Sequence, residues 1–221
     1  MNQSICVLIP AKNEAETIGN VLDTMPKLNN MSVVVADGFS KDGTYQIALD
    51  KGARVIHGRG EGKGKDVRLA LQWIDADFVY MLDADGTYPP SFISVMHEYL
   101  IKDRYDVIVG NRFKHMQKDA MTLRNNFGNR MLTLLANILY RTKTPDLCTG
   151  LWGFNRKALE SMHLVADGFD IEANLFTEVN RNKLRLGSID IVYKNRSGTK
   201  PKLKMSDGFI IAKRLIVERF R

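Results

Sequence analysis

FVYMLDADGTYPP, residues 78–90, runs from apolar residues into two aspartates, a glycine and a proline pair. The apolar run reads as a buried strand over residues 78–83, and the prolines open a helix over residues 89–101. Between them Asp83 and Asp85 stand one residue apart, where like charges repel. A surface turn accounts for the glycine and the prolines. It gives no reason for two carboxylates at a strand end, so their purpose depends on what neighbouring loops bring.

The same strand–loop–helix unit recurs on either side. ICVLI (residues 5–9), VVVA (33–36), RVIH (54–57) and DVIVG (106–110) read as further strands. Helical patterns over residues 14–25, 41–51 and 64–74 alternate with them. This alternation predicts an α/β fold with right-handed crossovers, a mostly parallel sheet and helices on both faces. After residue 112 the pattern changes to a long amphipathic helix over residues 123–140 and a glycine-rich apolar segment, TGLWGF (149–154). Helices over 156–162 and 172–183, a strand over 186–193 and a basic tail from 194 to 221 follow. No repeat or linker interrupts the chain. It reads as one domain over residues 1–205, with halves meeting near residue 112, and a basic amphipathic C-terminal helix over 206–221.

An excess of 32 Lys+Arg over 25 Asp+Glu suits an anionic partner such as a phosphate ligand or a lipid headgroup. The basic residues concentrate late in the chain without a nucleic-acid-binding module, which argues against nucleic acid. Cys6 and Cys148 form no metal-ligand or disulfide pattern, and a reducing, cytosolic setting is expected. No signal peptide is visible. The apolar runs MLTLLANILY (131–140) and FIIAKRLIV (209–217) fall short of the roughly 20 residues that span a bilayer.

In an open parallel sheet, ligands bind at the carboxyl ends of the strands. The first strand is followed by PAKNEAET, with Pro10, Asn13 and Glu14, and the second by DGFSKDGT, with Asp37. GRGEGKGK follows the third, DADGTYPP the fourth, and NRF, with Arg112, the fifth. Any one of these loops passes for a turn; five on one edge point to a ligand. Asp83 and Asp85 are hard oxygen donors suited to Mg²⁺ or Mn²⁺ beside substrate phosphates. GEGKGK offers backbone amides with Lys63 and Lys65 for phosphate contact, yet is neither a Walker A loop nor a Rossmann fingerprint. Asp37 is placed to accept from a ribose or a base edge. Together these residues describe a site for a nucleoside diphosphate and a metal ion.

IPAKNEAETI, DGFSKDGT, GKG, DAD and GNRF occur in the order used by family-2 glycosyltransferases of the GT-A (Rossmann-like) fold. RNNFGNRMLTLLANILY, DLCTGLWGF and YKNRSGTKPKL followed by DGF resemble the dolichyl- and polyprenyl-phosphate sugar transferases, the dolichyl-phosphate mannose and glucose synthases among them. The resemblance extends from Ile5 to about Phe209 and implies a GT-A catalytic domain, its first half for the nucleotide sugar and its second for the acceptor. It assigns Pro10, Ala11, Asn13, Glu14, Asp37, Gly62, Lys63 and Asp83 to the nucleotide sugar, and Asp85 with Asp83 to the metal. Arg112, Arg124, Arg196 and Lys202 would hold the acceptor phosphate, with Asp83, Asp85 and Arg112 as the catalytic set. The sequence departs from the family pattern at three places. A single acid stands at Ala36-Asp37, Thr87 replaces a glutamine that some relatives use as metal ligand, and PKL replaces SKL around Lys202.

The function so implied is inverting, metal-dependent transfer from a nucleotide sugar to polyprenyl or dolichyl phosphate, with DADGTYP leaning to a UDP-sugar over GDP-mannose. Transfer to a hydroxyl of a glycolipid or polysaccharide is the alternative; it needs a base, for which Asp146 and Glu172 are the candidates. A nucleotide-sugar-binding protein without catalysis is a third reading. The 123–140 helix fits either a core-facing or an interfacial role, and the basic tail either a solvated face or an anionic leaflet. The interfacial choice places the protein peripherally on the cytoplasmic face of a membrane.

Overall fold

All the strands and helices expected from the sequence form, at slightly shifted bounds, in a computed structural model that describes residues 3–198, 202 and 205–221. The order is β1 (Ile5–Ala11), α1 (Ala15–Asp23), β2 (Met31–Asp37), α2 (Thr44–Asp50), β3 (Arg54–His57), α3 (Lys63–Leu71), β4 (Phe78–Met81) and α4 (Phe92–Ile101). Then come β5 (Val107–Met116), α5 (Leu123–Tyr140), β6 (Trp152–Asn155), α6 (Arg156–Ser161), α7 (Ile171–Arg181), β7 (Leu186–Tyr193) and α8 (Met205–Arg219).

The strands lie in the order β3-β2-β1-β4-β6-β5-β7. The pairs β2–β3, β1–β2, β1–β4 and β5–β7 are parallel; β6 alone runs antiparallel, between β4 and β5. The sheet is therefore mostly parallel with one reversed strand. β6 was not foreseen: TGLWGF reads only as glycine-rich and apolar, and four residues are too few to display a period of two. Gly153 is what lets the strand fit, since a Cβ there would lie 2.8 Å from the Tyr80 ring and 3.0 Å from Ile108. β4 also ends at Met81, short of Asp83, although Leu82 N still donates to Leu8 O at 3.0 Å.

Alternation along the strands sends side chains to two cores, one on each face. Cys6, Leu8, Val34, Val79, Met81 and Val107 pack on the face covered by α3, α5, α6, α7 and α8. Ile5, Val7, Ile9, Val35, Tyr80 and Ile108 pack on the face covered by α1, α2 and α4. Six of the seven strands thus point their carboxyl ends toward one edge. Among the described residues, no helix is long and apolar enough to cross a membrane.

Candidate active site

Loops from that edge enclose a cavity of about 740 Å³. Pro10 and Ala11 at the end of β1, Ala36 on β2, Asp83 and Asp85 beyond β4 and Arg112 on β5 all line it. Asn13, Glu14, Gly62, Lys63, Arg196 and Lys202 complete the predicted residues brought together there. Four predicted residues, Asp37, Lys65, Arg124 and Asp146, lie outside the lining. Asp37 is fully buried beneath it, and Arg124 is exposed on α5, where the helical turn gives the cavity to Thr122 and Asn125 instead.

The two aspartates are held differently. Asp85 is 6% exposed; its Oδ1 accepts from the Thr87 backbone N–H at 3.0 Å and the Thr87 hydroxyl at 2.6 Å. Its Oδ2 accepts from Arg196 Nη2. Burial first, then the neighbouring charge of Asp83, pushes the Asp85 carboxyl above the ordinary carboxylate range, and Arg196 and Thr87 oppose the shift. Asp83 Oδ1 accepts from Lys63 Nζ at 2.6 Å, and that ammonium also donates to Glu172 Oε1 at 2.7 Å. Burial alone would lower Lys63, but the two carboxylates outweigh it and hold the ammonium above its usual value. Glu172 is itself pushed up by burial, with Lys63 working against the rise. Asp83 also needs a glycine opposite: a Cβ on Gly150 would stand 2.0 Å from its Oδ2.

Arg112 is buried against Asp146, donating from Nε to Oδ2 at 2.6 Å and from Nη2 to Oδ1 at 2.8 Å. This fork-on-fork pair fixes the guanidinium plane, which lies over the Tyr193 ring at 5.5 Å. Tyr88, also buried beside Arg112, accepts from Gly150 N at 2.7 Å. The loop after β3 is set by close packing rather than left flexible. Gly62 has φ 145°, and a Cβ there would meet Asp167 O at 2.2 Å. Lys65 lines no part of the cavity; it pairs with Glu61 at 3.0 Å.

On the nucleoside side, Asn13 adopts φ 51° and accepts from Lys41 N through Oδ1 at 2.9 Å. Asp37 Oδ2 accepts from Ser40 N at 3.2 Å and faces His57 Nδ1 at 3.2 Å, while its buried Oδ1 has no partner among the described residues. Glu14 Oε1 accepts from Arg196 Nη1 at 3.4 Å and from Lys202 Nζ. The tail therefore lays two cations across the cavity.

Among the described residues, no three His, Cys, Asp or Glu side chains converge on one point that could hold a metal ion. The donor set still fits Mg²⁺ or Mn²⁺, which bind through one or two carboxylates and take their remaining ligands from substrate phosphates and water. Asp83 and Asp85 are the pair of cavity carboxylates that could act in this way. Burial pushes the Cys148 thiol, which lines this wall, up to about 12, above the range of reactive thiols. Sequence reasoning assigned no role to Lys12, Asp66, Tyr88, Tyr193, Asp119, Met121, Thr122, Asn125 or Asn129, all of which line the cavity. Asn125 and Asn129 offered a faint signal, as amides four apart that share one face of the helix.

A model of the family described as Glycosyl transferase family 2 matches residues 6–162. Glycosyltransferase AglJ of Haloferax volcanii is 36% identical over 191 residues, which are 86% of this chain and 63% of AglJ. The chain thus spans less than two thirds of that relative. A dolichyl-phosphate hexose transferase of the same organism is 28% identical over 214 residues, 96% of this chain and 92% of the relative. Glucosyl-3-phosphoglycerate synthase from Mycobacterium tuberculosis, crystallised with Mn²⁺, UDP and glucosyl-3-phosphoglycerate, superimposes with a TM-score of 0.76. It is 19% identical, covering 98% of this chain and 78% of the other, a likeness of fold that agrees with GT-A architecture. The match over residues 6–162 and the ordered loops at one sheet edge lead to one conclusion: the chain belongs to glycosyl transferase family 2.

Proposed function

We propose that the chain transfers a sugar from a nucleotide sugar, a UDP-sugar ahead of GDP-mannose, to the phosphate of a polyprenyl or dolichyl phosphate, with inversion. One observation carries the choice of acceptor. The two carboxylates that the sequence offers as a base are already engaged: Asp146 is fully buried on Arg112, outside the cavity lining, and Glu172 is paired with Lys63. A hydroxyl acceptor needs such a base, whereas a phosphate monoester, with a second pKa near ~6, is a nucleophilic anion at neutral pH. Relatives named as a dolichyl-phosphate hexose transferase and, in Methanococcus voltae, a UDP-N-acetylglucosamine–dolichyl-phosphate N-acetylglucosaminyltransferase support the lipid phosphate and the uridine donor.

Pro10, Ala11, Asn13, Glu14 and Asp37 would hold the nucleoside. Gly62 and Lys63, at the start of α3, would face the diphosphate, where a helix N-terminus favours anions. Asp83 and Asp85 would hold Mg²⁺ or Mn²⁺, which when bound neutralises the diphosphate and stabilises it as a leaving group. Arg112, Arg196 and Lys202 would take the acceptor phosphate, with Arg124 at the entrance. A phosphate oxygen attacks the anomeric carbon as the bond to the diphosphate breaks. The electron pair leaves on the nucleoside diphosphate, and no proton changes hands. Arg112, its plane fixed by Asp146, orients the nucleophile for in-line approach. A lipid acceptor would put this chemistry at a membrane surface, and the cytoplasmic face is the side this reading assigns it.

The test is a panel of UDP- and GDP-sugars incubated with polyprenyl phosphate and Mg²⁺ or Mn²⁺, scored for glycosylated lipid phosphate. A UDP-hexose is expected to yield that product. Transfer only to a sugar hydroxyl would replace this proposal with the alternative.

A further inference from the structure

α5 turns large apolar side chains to both of its sides. Leu132, Leu135, Leu139 and Tyr140 pack against the core beside the buried Asn129, Thr133 and Ala136. A second set faces outward: Leu123, Phe127, Met131, Leu134 and Ile138 are 90, 68, 48, 50 and 66% exposed. At 3.6 residues per turn these five fall within an arc of about 80°. The outward set does not come from a loose fit, because the inner face packs on the core and its buried polar groups are satisfied. The Thr133 hydroxyl donates to Asn129 O at 2.8 Å and accepts from Leu147 N at 3.1 Å. Exposed Arg124 and Arg130 flank the apolar arc on either side, and residues 123–140 contain no Asp or Glu.

α8 lies beside it and continues the surface. Tyr140 Oη donates to Leu215 O at 3.0 Å and Arg219 Nε to Leu139 O at 2.8 Å, which joins the C-terminal ends of the two helices. α8 buries Ile211 and Leu215 but exposes Phe209 and Ile216, with Phe220 just past its end, at 76, 46 and 80%. Lys213, Arg219 and Arg221 are exposed around them. Toward their N-terminal ends both helices border the cavity, α5 through Asn125 and Asn129 and α8 through Ile211.

Soluble surfaces rarely gather this many large apolar side chains, and a cationic rim around an apolar face suits a helix lying in the headgroup region of an anionic bilayer. A second copy of the chain suits it less well, because a two-fold contact would set the same arginines and lysines against one another. We propose that the paired outer faces of α5 and α8 dock on an anionic lipid bilayer and hold the cavity mouth at headgroup level. This deepens the proposed function and rests on its lipid acceptor for its purpose, while vesicle binding itself requires neither donor nor transfer.

The experiment is flotation of the purified chain with vesicles of phosphatidylcholine alone and of phosphatidylcholine mixed with phosphatidylglycerol. It is paired with a Leu123→Ser/Phe127→Ser/Ile138→Ser/Phe220→Ser variant, whose fold is checked by thermal unfolding. The wild-type chain is expected to bind the mixed vesicles at least about ten-fold more tightly than the neutral ones, with loss in high salt. The variant is expected to lose at least about ten-fold in vesicle binding. Its melting temperature and its nucleoside-diphosphate binding should be unchanged. Vesicle binding equal in both proteins would overturn the inference. So would an absence of vesicle binding together with a wild-type dimer that the same substitutions dissociate, which assigns the face to a second copy. Vesicle binding without transfer to polyprenyl phosphate leaves the docking surface standing and removes the acceptor assignment instead.

Discussion

Arg196 Nη2 donates to Asp85 Oδ2 across 111 residues of sequence, bringing a cation from the tail onto the buried carboxylate beyond β4. Asp85 lies in a setting that disfavours its charge, through burial and the nearby Asp83, so it requires a positive partner. Arg196 meets that need in this structure. Under the proposed function the same arginine would hold the acceptor phosphate, and a divalent ion would neutralise the carboxylate beside the donor.

Asp85→Asn preserves shape and leaves an Oδ1 for Thr87 while deleting the charge. Transfer is expected to fall by about 100-fold or more, with unfolding free energy within about 1 kcal/mol of wild type. Steady-state transfer and urea unfolding check both halves, and near-normal turnover would withdraw Asp85 from the metal assignment.

Thr87→Val removes the hydroxyl that donates to Asp85 Oδ1 at 2.6 Å and keeps the backbone donor at 3.0 Å. Groups that orient a metal-binding carboxylate typically contribute about ten-fold or more to affinity or rate. A titration of activity against Mn²⁺ should shift to about ten-fold higher metal, at a stability cost of about 1 kcal/mol. An unmoved titration would mean that Thr87 holds the turn and nothing more.

Asp146→Ala strands a buried guanidinium. Loss of one partner from such a pair costs about 3–5 kcal/mol, or roughly 10 °C in melting temperature for a chain of this size. Calorimetry of the variant separates two roles for Asp146. A stable but inactive protein would make it a base; an unstable one makes it the support of Arg112.

Glu172 gives a pH-dependent prediction. Burial raises its carboxyl in the folded state, so the fold binds its proton more tightly than the unfolded chain does. Its contribution to stability is complete below the ordinary carboxylate value and is lost as pH rises through the higher folded value. Glu172→Gln removes that loss. As pH rises above the ordinary carboxylate value, the urea midpoint of the variant should decline less than that of wild type. Parallel declines would count against a raised Glu172.

The parallel strands and their carboxyl-end loops were legible because apolar runs such as ICVLI and VVVA stop abruptly at Pro10 and Asp37. β6 was not, because its four residues include Gly153, placed there by the Tyr80 ring rather than by strand propensity. The pairings that define the site were also hidden. Lys63 and Glu172 are 109 residues apart, and Arg112 and Asp146 are 34 apart, with no local pattern linking them. GEGKGK was visible as a motif, but its packing was not: Gly62 also leaves room for Asp167 O, and Lys65 turns away to Glu61. The helix over 123–140 displayed an apolar stripe without stating its direction, and only packing shows that the stripe faces out.

The central claim is that the nucleophile is a phosphate. Its most direct test gives the enzyme one nucleotide sugar and two acceptors that differ only in that group, polyprenyl phosphate and polyprenol, and determines the anomeric configuration of the product. The account predicts glycosylated lipid phosphate of inverted configuration and no product from the alcohol. Equal or faster transfer to polyprenol, or a product of retained configuration, would contradict it.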